Sequence, residues 1–199
     1  MADKYANYSA LAKHQRIDSD YRIRYLDRGG RFAIVAPHGG GIEPGTSEIA
    51  EFLAGDYFSF YAFEGLKKNG NSDLHITSTN FDEVSCIKVI RNTDTVIAIH
   101  GRALTISAAY LGGLDIKLID RLRQTLTSAG FIALTNDKPE FQGLSIHNIC
   151  NKGKSGRGVQ LELTRSLRET MFESLDTEGR ATRLPPFYSF VSALTAALG

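Results

Sequence analysis

Two histidines stand where short apolar runs end. His38 follows residues 31–37, and His100 follows residues 94–99. His38 opens the segment His38-Gly39-Gly40-Gly41-Ile42-Glu43-Pro44-Gly45-Thr46-Ser47-Glu48. Three consecutive glycines let the backbone adopt positive φ and approach a neighbour closely, so this turn can carry Glu43 back beside His38. Two imidazoles and one carboxylate, with a position left for water, form the donor set of a catalytic zinc site rather than a structural one. Two plainer readings stand beside it. A histidine at a strand end is commonly a hydrogen-bonded loop residue, and a glycine run equally suits a phosphate cradle or a tight turn.

Glu162 is the fourth element. In residues 159–164, Val159, Leu161 and Leu163 share one face of a strand, and Gln160 and Glu162 share the other. A glutamate flanked by leucines on a central strand is costly to bury without a partner. A metal-bound water is such a partner, because the carboxylate can take its proton and pass it to a leaving nitrogen. On an edge strand the same residue would simply be solvated or paired with a cation.

The elements that must position these residues alternate in type. Residues 31–37 read as a buried strand ending in Pro37. Pro44 marks a first helical turn, and residues 47–54 read as a helix closed by Gly55. Residues 57–63 are aromatic and β-prone, and residues 74–78 read as a short strand. A helix follows Asn80, carried by Phe81, Val84, Ile87 and Ile90, and residues 94–99 form another buried strand. The clearest helix spans residues 114–130, where Leu118, Ile119, Leu122 and Leu126 keep helical spacing and Gly130 closes it. Residues 131–134 and 159–164 are strands separated by a long polar segment, and residues 187–198 form a closing helix after Pro185-Pro186.

This alternation predicts an α/β fold with helices on both faces of a central sheet. The aromatic, hairpin-like stretch around residues 57–78 adds antiparallel pairing, so the sheet is expected to be mixed, parallel and antiparallel. In such sheets sites gather beyond the carboxyl ends of the strands, where both histidines fall. A length of 199 residues suits one metallohydrolase domain over residues 1–199.

Lys and Arg number 23 against 22 Asp and Glu, a formal net charge of +1. That balance excludes a globally basic nucleic-acid binder and an acidic disordered tail. Cys86 and Cys150 are the only cysteines, and without a Cys-x-x-Cys neither a thiolate zinc site nor a disulfide scaffold is expected. One bond between them stays open beside their reading as two small buried thiols. No Gly-x-Ser-x-Gly is present, which argues against a serine hydrolase, and neither cysteine has a local catalytic setting. No run approaches the roughly 18 apolar residues of a membrane span. The opening residues Met1-Ala2-Asp3-Lys4-Tyr5 carry no secretory signal.

Over roughly residues 3–175 the chain resembles the poly-γ-glutamate hydrolase family of Bacillus bacteriophages and related bacterial proteins. The carriers are Pro37-His38-Gly39-Gly40-Gly41-Ile42-Glu43-Pro44-Gly45-Thr46-Ser47-Glu48-Ile49-Ala50, Leu74-His75-Ile76-Thr77-Ser78, Ile99-His100-Gly101, Asn148-Ile149-Cys150-Asn151 and Gly158-Val159-Gln160-Leu161-Glu162-Leu163. The first block is long and specific. The family is similar to a compact zinc carboxypeptidase, so the resemblance implies a zinc-carboxypeptidase-like mixed sheet. It also implies one Zn2+ ion per chain and hydrolysis of γ-linked glutamate polymer. Matched motif by motif, it places His38, Glu43 and His100 on the metal and makes Glu162 the general base. Two departures from zinc carboxypeptidases follow. Their first His and Glu are three apart, whereas Glu43 lies five after His38, which leaves Glu48 as a rival ligand. Their Asn-Arg clamp for a terminal carboxylate has only Arg91-Asn92 here, in reverse order, which favours cutting within a chain.

A polyanionic substrate needs a positive groove, and with a net charge of +1 the positive charge must be local. Arg165 and Arg102 rank first because they adjoin proposed site residues, and Gln160 shares the face of Glu162. Lys152, Lys154 and Arg157 are further candidates, while His75 and His147 either line the cleft or cap loops. Three rivals remain in view. A zinc deacylase of small N-acyl amino acids would use the same four residues. A phage nucleic-acid-binding replication protein would use residues 151–158, whose Gly-Lys-Ser hints at a phosphate loop, although Asn148 stands where the first glycine is required. A phage adhesion module would bind polymer without cutting it. The resemblance favours the hydrolase, acting as a monomer on poly-γ-glutamate, with neither nucleic acid nor membrane as partner. Without a signal peptide, such an enzyme made in a host cytoplasm would reach outside polymer on lysis.

Overall fold

The computed structural model describes residues 3–136 and 138–199. The chain runs through α1 (Tyr8–Leu11), β1 (Tyr21–Leu26), β2 (Gly30–Gly40), α2 (Thr46–Ala54), β3 (Ser59–Gly65), α3 (Val84–Arg91) and β4 (Thr93–Arg102). It continues through β5 (Ala109–Gly113), α4 (Ile116–Ser128), β6 (Ala133–Thr135), β7 (Val159–Thr164), α5 (Arg165–Glu169) and α6 (Pro185–Leu198). The strands form one sheet in the order β1-β3-β2-β4-β7-β5-β6. The central four, β3, β2, β4 and β7, are parallel. β1 and β5 pair antiparallel with β3 and β7, so the sheet is mixed, as the sequence predicts.

Alternation along the strands builds two apolar layers. Phe32, Ile34 and Ala36 of β2, Ile97 and Ile99 of β4, and Val159, Leu161 and Leu163 of β7 face one side, under α2, α4 and α6. Ala33 and Val35 of β2, Val96 of β4, and Tyr61 and Phe63 of β3 face the other, under α3 and the segment holding Leu74, Ile76 and Phe81. Strands buried on both faces read as near-continuous apolar runs, which is why residues 31–37 and 94–99 were legible. The helix read over 114–130 is α4, and it buries Leu118, Ile119, Leu122 and Leu126. Burying a side chain of that size stabilises by about 1.5–3 kcal/mol.

β2 leads through α2 to β3 on one side, whereas β4 lies against β2 on the other side. The loops leaving β2 and β4 therefore diverge and open a crevice between their carboxyl ends, the usual ligand position in an open α/β sheet.

Several expectations are corrected. Residues 74–78 are not a strand: a single 3-10 turn, Asn71–Leu74, runs into extended backbone with no ladder partner. The antiparallel partner of the aromatic strand is instead β1, in which Arg22 and Arg24 alternate with Tyr21, Ile23 and Tyr25. That strand begins at Ser59 and reaches Gly65 rather than spanning 57–63. Pro44 precedes α2, whose N-cap is Gly45 at φ 96°. α6 starts two residues earlier than expected, at Pro185, where a missing N–H costs nothing. Cys86 and Cys150 are both free and buried.

Candidate functional site

His38, His100 and Glu162 end or nearly end three adjacent parallel strands. His100 and Glu162 are registered partners across β4 and β7, so they share a face. On plain alternation His38 would join Phe32, Ile34 and Ala36 on the opposite face. The pairing of β2 with β3 slips by one residue between Ala36 and Gly39, a β-bulge. One extra residue reverses the alternation and turns His38 onto the face of His100. Gly40 completes the turn at φ 62°, and a Cβ there would lie 2.5 Å from the Gly65 carbonyl oxygen. Only glycine fits both conditions.

The side chains then converge. The two Nδ1 atoms of His38 and His100 lie 3.2 Å apart. Glu43 Oε1 lies 3.3 Å from His38 Nδ1, and Glu43 Oε2 lies 3.8 Å from His100 Nδ1. The five-residue interval between His38 and Glu43 closes because the Glu43 N–H donates to the His38 carbonyl at 2.8 Å. The Gly101 N–H donates to Glu43 Oε2 at 2.8 Å, which aims the carboxylate. Glu48, the rival, points elsewhere and accepts from Arg180 Nε at 2.7 Å.

The extended segment after Leu74 supplies three contacts. The Ile76 carbonyl accepts from His38 Nε2 at 2.8 Å, which puts the ring proton there and leaves Nδ1 as a free donor atom. Ser78 Oγ lies 3.3 Å from His100 Nε2. The His75 ring stacks on that of His38, centroids 4.0 Å apart and planes 30° apart, and its Nδ1 donates to Asp3 Oδ1 at 2.7 Å. His75, left between two readings by the sequence, thus lines the site. His38, Glu43 and His75 also offer one donor atom each, all within 4.8 Å of one another. Four side chains are therefore candidate ligands for one ion. His75 meets the His38 ring face to face, whereas His100 meets His38 nitrogen to nitrogen.

Glu162 is buried on the same face. Its Oε1 accepts from Gln160 Nε2 at 2.9 Å, and Gln160 Oε1 accepts from Asn148 Nδ2 at 2.8 Å. Gln160, expected to touch substrate, is thus tied up holding Glu162. Arg102 lies between the rings of Tyr110 and Phe141, 5.2 and 4.4 Å from their centroids, and donates to Asn136 Oδ1 at 2.7 Å. Arg165 is exposed and pairs with Glu169, one helical turn away. Lys154 donates to the Asn92 carbonyl at the amino end of β4, about 23 Å of strand from His100. Arg91-Asn92 lies at that same far edge. The amides of Lys154 and Ser155 donate to Thr93 and Asp94 carbonyls at 2.9 Å, so residues 153–155 offer them to no phosphate.

The charges are interdependent. Burial opposes ionisation of Glu43, but His38, His100 and the Gly101 amide hold its carboxyl down at about 2. Burial also disfavours the cationic form of His38, but Glu43 and the Ile76 carbonyl outweigh it and raise its pKa. Burial and the neighbouring histidines, against the pull of Glu43, push His100 down to about 3. Burial and the Glu43 charge push Glu162 up to about 8, against His38, Arg102 and Gln160. A carboxyl raised beside one depressed is the arrangement that divides acid and base work.

Two contributors were missed. Asp3 accepts from the Thr77 N–H at 2.6 Å as well as from His75. Arg168, 4% exposed, donates to the Leu163 carbonyl at 3.2 Å and to the Pro44 carbonyl, clamping the Glu43 turn against β7. A Cβ on Gly101 would meet Arg168 Cζ and Glu43 Cβ at 2.8 Å each. Nothing local in the sequence marks either residue, because both act on neighbours distant along the chain.

A mixed α/β sheet with imidazoles and carboxylates gathered at the switch point of its parallel strands defines an α/β hydrolytic enzyme. The chain belongs to the poly-gamma-glutamate hydrolase family, whose model matches residues 5–193. It is 41% identical over 196 residues to the SPbeta prophage-derived UPF0714 protein YoqZ of Bacillus subtilis (strain 168), covering 98% of this chain and 71% of that protein. Its fold matches a bacteriophage poly-gamma-glutamate hydrolase with TM-score 0.95 at 29% identity, covering 99% of this chain and 97% of that one. It matches the zinc-free apo form of YndL with TM-score 0.93 at 40% identity, covering 99% and 98%.

Proposed function

We propose that this protein is a zinc-dependent endo-hydrolase of the γ-glutamyl amide bonds of poly-γ-glutamate. The observation that carries the reading is the convergence of His38 Nδ1, His100 Nδ1 and the Glu43 carboxylate beside the buried Glu162. The donor set fits zinc: two imidazole nitrogens and a carboxylate suit that ion, and His38 Nδ1 lies 3.2 Å from His100 Nδ1 and 3.3 Å from Glu43 Oε1, with Glu43 Oε2 3.8 Å from His100 Nδ1. His38, Glu43 and His100 would hold one ion per chain, with His75 beside them. A solved relative described as zinc-free YndL supports the same metal. When bound, zinc supplies Lewis acidity and lowers the pKa of water in its open position to about 7.

The remaining work falls to side chains. Glu162 Oε1 is occupied by Gln160, so Oε2 is the oxygen that moves the proton, taking it from water and delivering it to the departing amine. The Asn148–Gln160 chain holds the carboxyl group through Oε1, which keeps Oε2 in place through the transfer. Arg102, set against the rings of Tyr110 and Phe141, offers its guanidinium to a pendant carboxylate close to Glu162. The adjacent pair Arg91-Asn92 lies at the far edge of the sheet, away from the site, which supports cutting within the polymer.

The test is incubation with high-molecular-weight poly-γ-glutamate, with and without chelator, followed by sizing of the products. A chelator-sensitive collapse to short oligomers supports the reading. Uncut polymer, with one zinc bound per chain, moves the function to small N-acyl substrates.

A further inference from the structure

A cavity of about 510 Å³ opens on the other side of the His38–Glu43 turn, and its walls include Gly40, Gly41 and Pro44. It is lined by five cationic side chains, Arg22, Lys67, Lys68, Arg180 and Arg183, against three carboxylates, Glu48, Glu64 and Asp176. The carboxylates are already engaged. Glu64, nearly fully buried, pairs with Arg22 and Arg24, and Glu48 pairs with Arg180. Asp176 accepts from the Gly179 N–H and the Ser174 hydroxyl. Lys67, Lys68 and Arg183 have no ion-pair partner among the described residues. Arg183 rests on the rings of Phe52 and Phe187, and its buried Nε–H has no hydrogen-bond acceptor.

We propose that this cavity is a carboxylate subsite, in which Lys67, Lys68 and Arg183 hold pendant carboxylates of the polymer stretch that flanks the bond being cut. This rests on the functional reading above and deepens it. Three features favour a polycarboxylate over a single small anion. The volume falls within the range that accommodates a multi-atom ligand. The free cations come from two segments, residues 67–68 after β3 and Arg183 before α6, so they can meet more than one carboxylate. The wall formed by Gly40, Gly41 and Pro44 belongs to the turn that carries Glu43, so the cavity adjoins the backbone of the reacting centre. With a net charge of only +1 on the whole protein, this local excess is where a polyanion finds its attraction.

The experiment compares wild type, the double variant Lys67→Ala/Lys68→Ala, the double variant Lys67→Arg/Lys68→Arg and Arg183→Gln on high-molecular-weight poly-γ-glutamate. Initial rates are taken at two salt concentrations, and thermal melting checks the fold. The alanine pair and Arg183→Gln are expected to raise KM roughly tenfold with kcat within about twofold. Their KM should also respond less to salt, and the arginine pair should restore wild-type KM. Wild-type KM and salt response in both the alanine pair and Arg183→Gln would overturn the subsite while leaving the hydrolase reading intact. If the wild type leaves the polymer uncut, the hydrolase reading fails separately. Direct titration of the same proteins with the polymer then decides the subsite. Weaker binding by the alanine pair supports it, and equal binding overturns it.

Discussion

Glu162 and His100 are registered partners on neighbouring parallel strands, so a carboxyl raised to about 8 stands beside an imidazole lowered to about 3. Each is pushed toward its neutral form chiefly by burial; in the proposed mechanism the neutral imidazole would serve as a metal ligand, whereas Glu162 would have to be ionised to accept a proton. A bound divalent cation would reverse the local field and draw Glu162 toward its ionised form.

The first prediction concerns Glu162→Gln. Activity should fall by about 10²–10⁴-fold, the usual worth of a positioned acid–base group, while zinc content measured by elemental analysis stays at that of wild type. The metal-free variant should also be more stable than metal-free wild type at alkaline pH. The folded state keeps the Glu162 proton up to about 8 whereas the unfolded chain loses it near 4.5, so wild-type stability declines as pH rises through that window. Melting curves should show the variant ahead by on the order of 2–4 kcal/mol at pH 8.5 and close to level at pH 4.5. Equal stability at both values would count against a raised Glu162.

Metal removal is the second. Zinc at about 100 times its dissociation constant should stabilise the protein by about 2.7 kcal/mol, read as a rise in Tm that chelator reverses. His38→Gln, Glu43→Gln and His100→Gln should each abolish that rise, and His75→Gln should retain most of it. Loss of the rise in His75→Gln with retention in His100→Gln would exchange the two histidines in the ligand set.

Gln160 gives the third. Gln160→Leu removes the donor to Glu162 Oε1 and leaves Asn148 Nδ2 without its acceptor. The hydrogen bond favours the ionised carboxylate, so its loss should move the acidic limb of the rate profile to higher pH and lower kcat by about tenfold. KM should barely change. A large KM effect with an unmoved profile would return Gln160 to direct substrate contact.

The fourth separates two arginines that look alike in sequence. Arg102→Met should raise KM for the polymer, because its guanidinium is held between Tyr110 and Phe141 near Glu162. Arg165→Ala should leave kcat and KM within about twofold. It should cost no more than about 0.5 kcal/mol, since its pairing with Glu169 is an exposed one-turn ion pair.

Gly101→Ala is the fifth. The added methyl would press on Arg168 Cζ and Glu43 Cβ, each 2.8 Å from where it must sit. Overpacking there should cost about 1–3 kcal/mol and weaken zinc binding, measured by competition with a chromogenic chelator.

Much of this protein was legible along the chain, because burial leaves a local trace. Residues 32–37 and 95–99 are buried on both faces and read as apolar runs; α4 keeps its 3.6-residue spacing. The glycine run and the strand-end positions of His38 and His100 pointed to a centre, and Glu162 stood out as a charge among leucines. Strand pairing leaves no such trace. β1 carries two arginines on a half-exposed edge, β5 ends in two glycines, and residues 74–78 have β-like composition but no neighbour to pair with. Which face His38 occupies depended on a bulge against β3, and which carboxylate joined it depended on Gly101 of β4 and Arg180 near the carboxyl end. Asp3, Arg168 and the basic cavity owe their roles to residues tens of positions away. The residue types that make the chemistry possible are inherent in the sequence. Their selection and aim are set by contacts between distant segments, which exist only once the sheet has assembled.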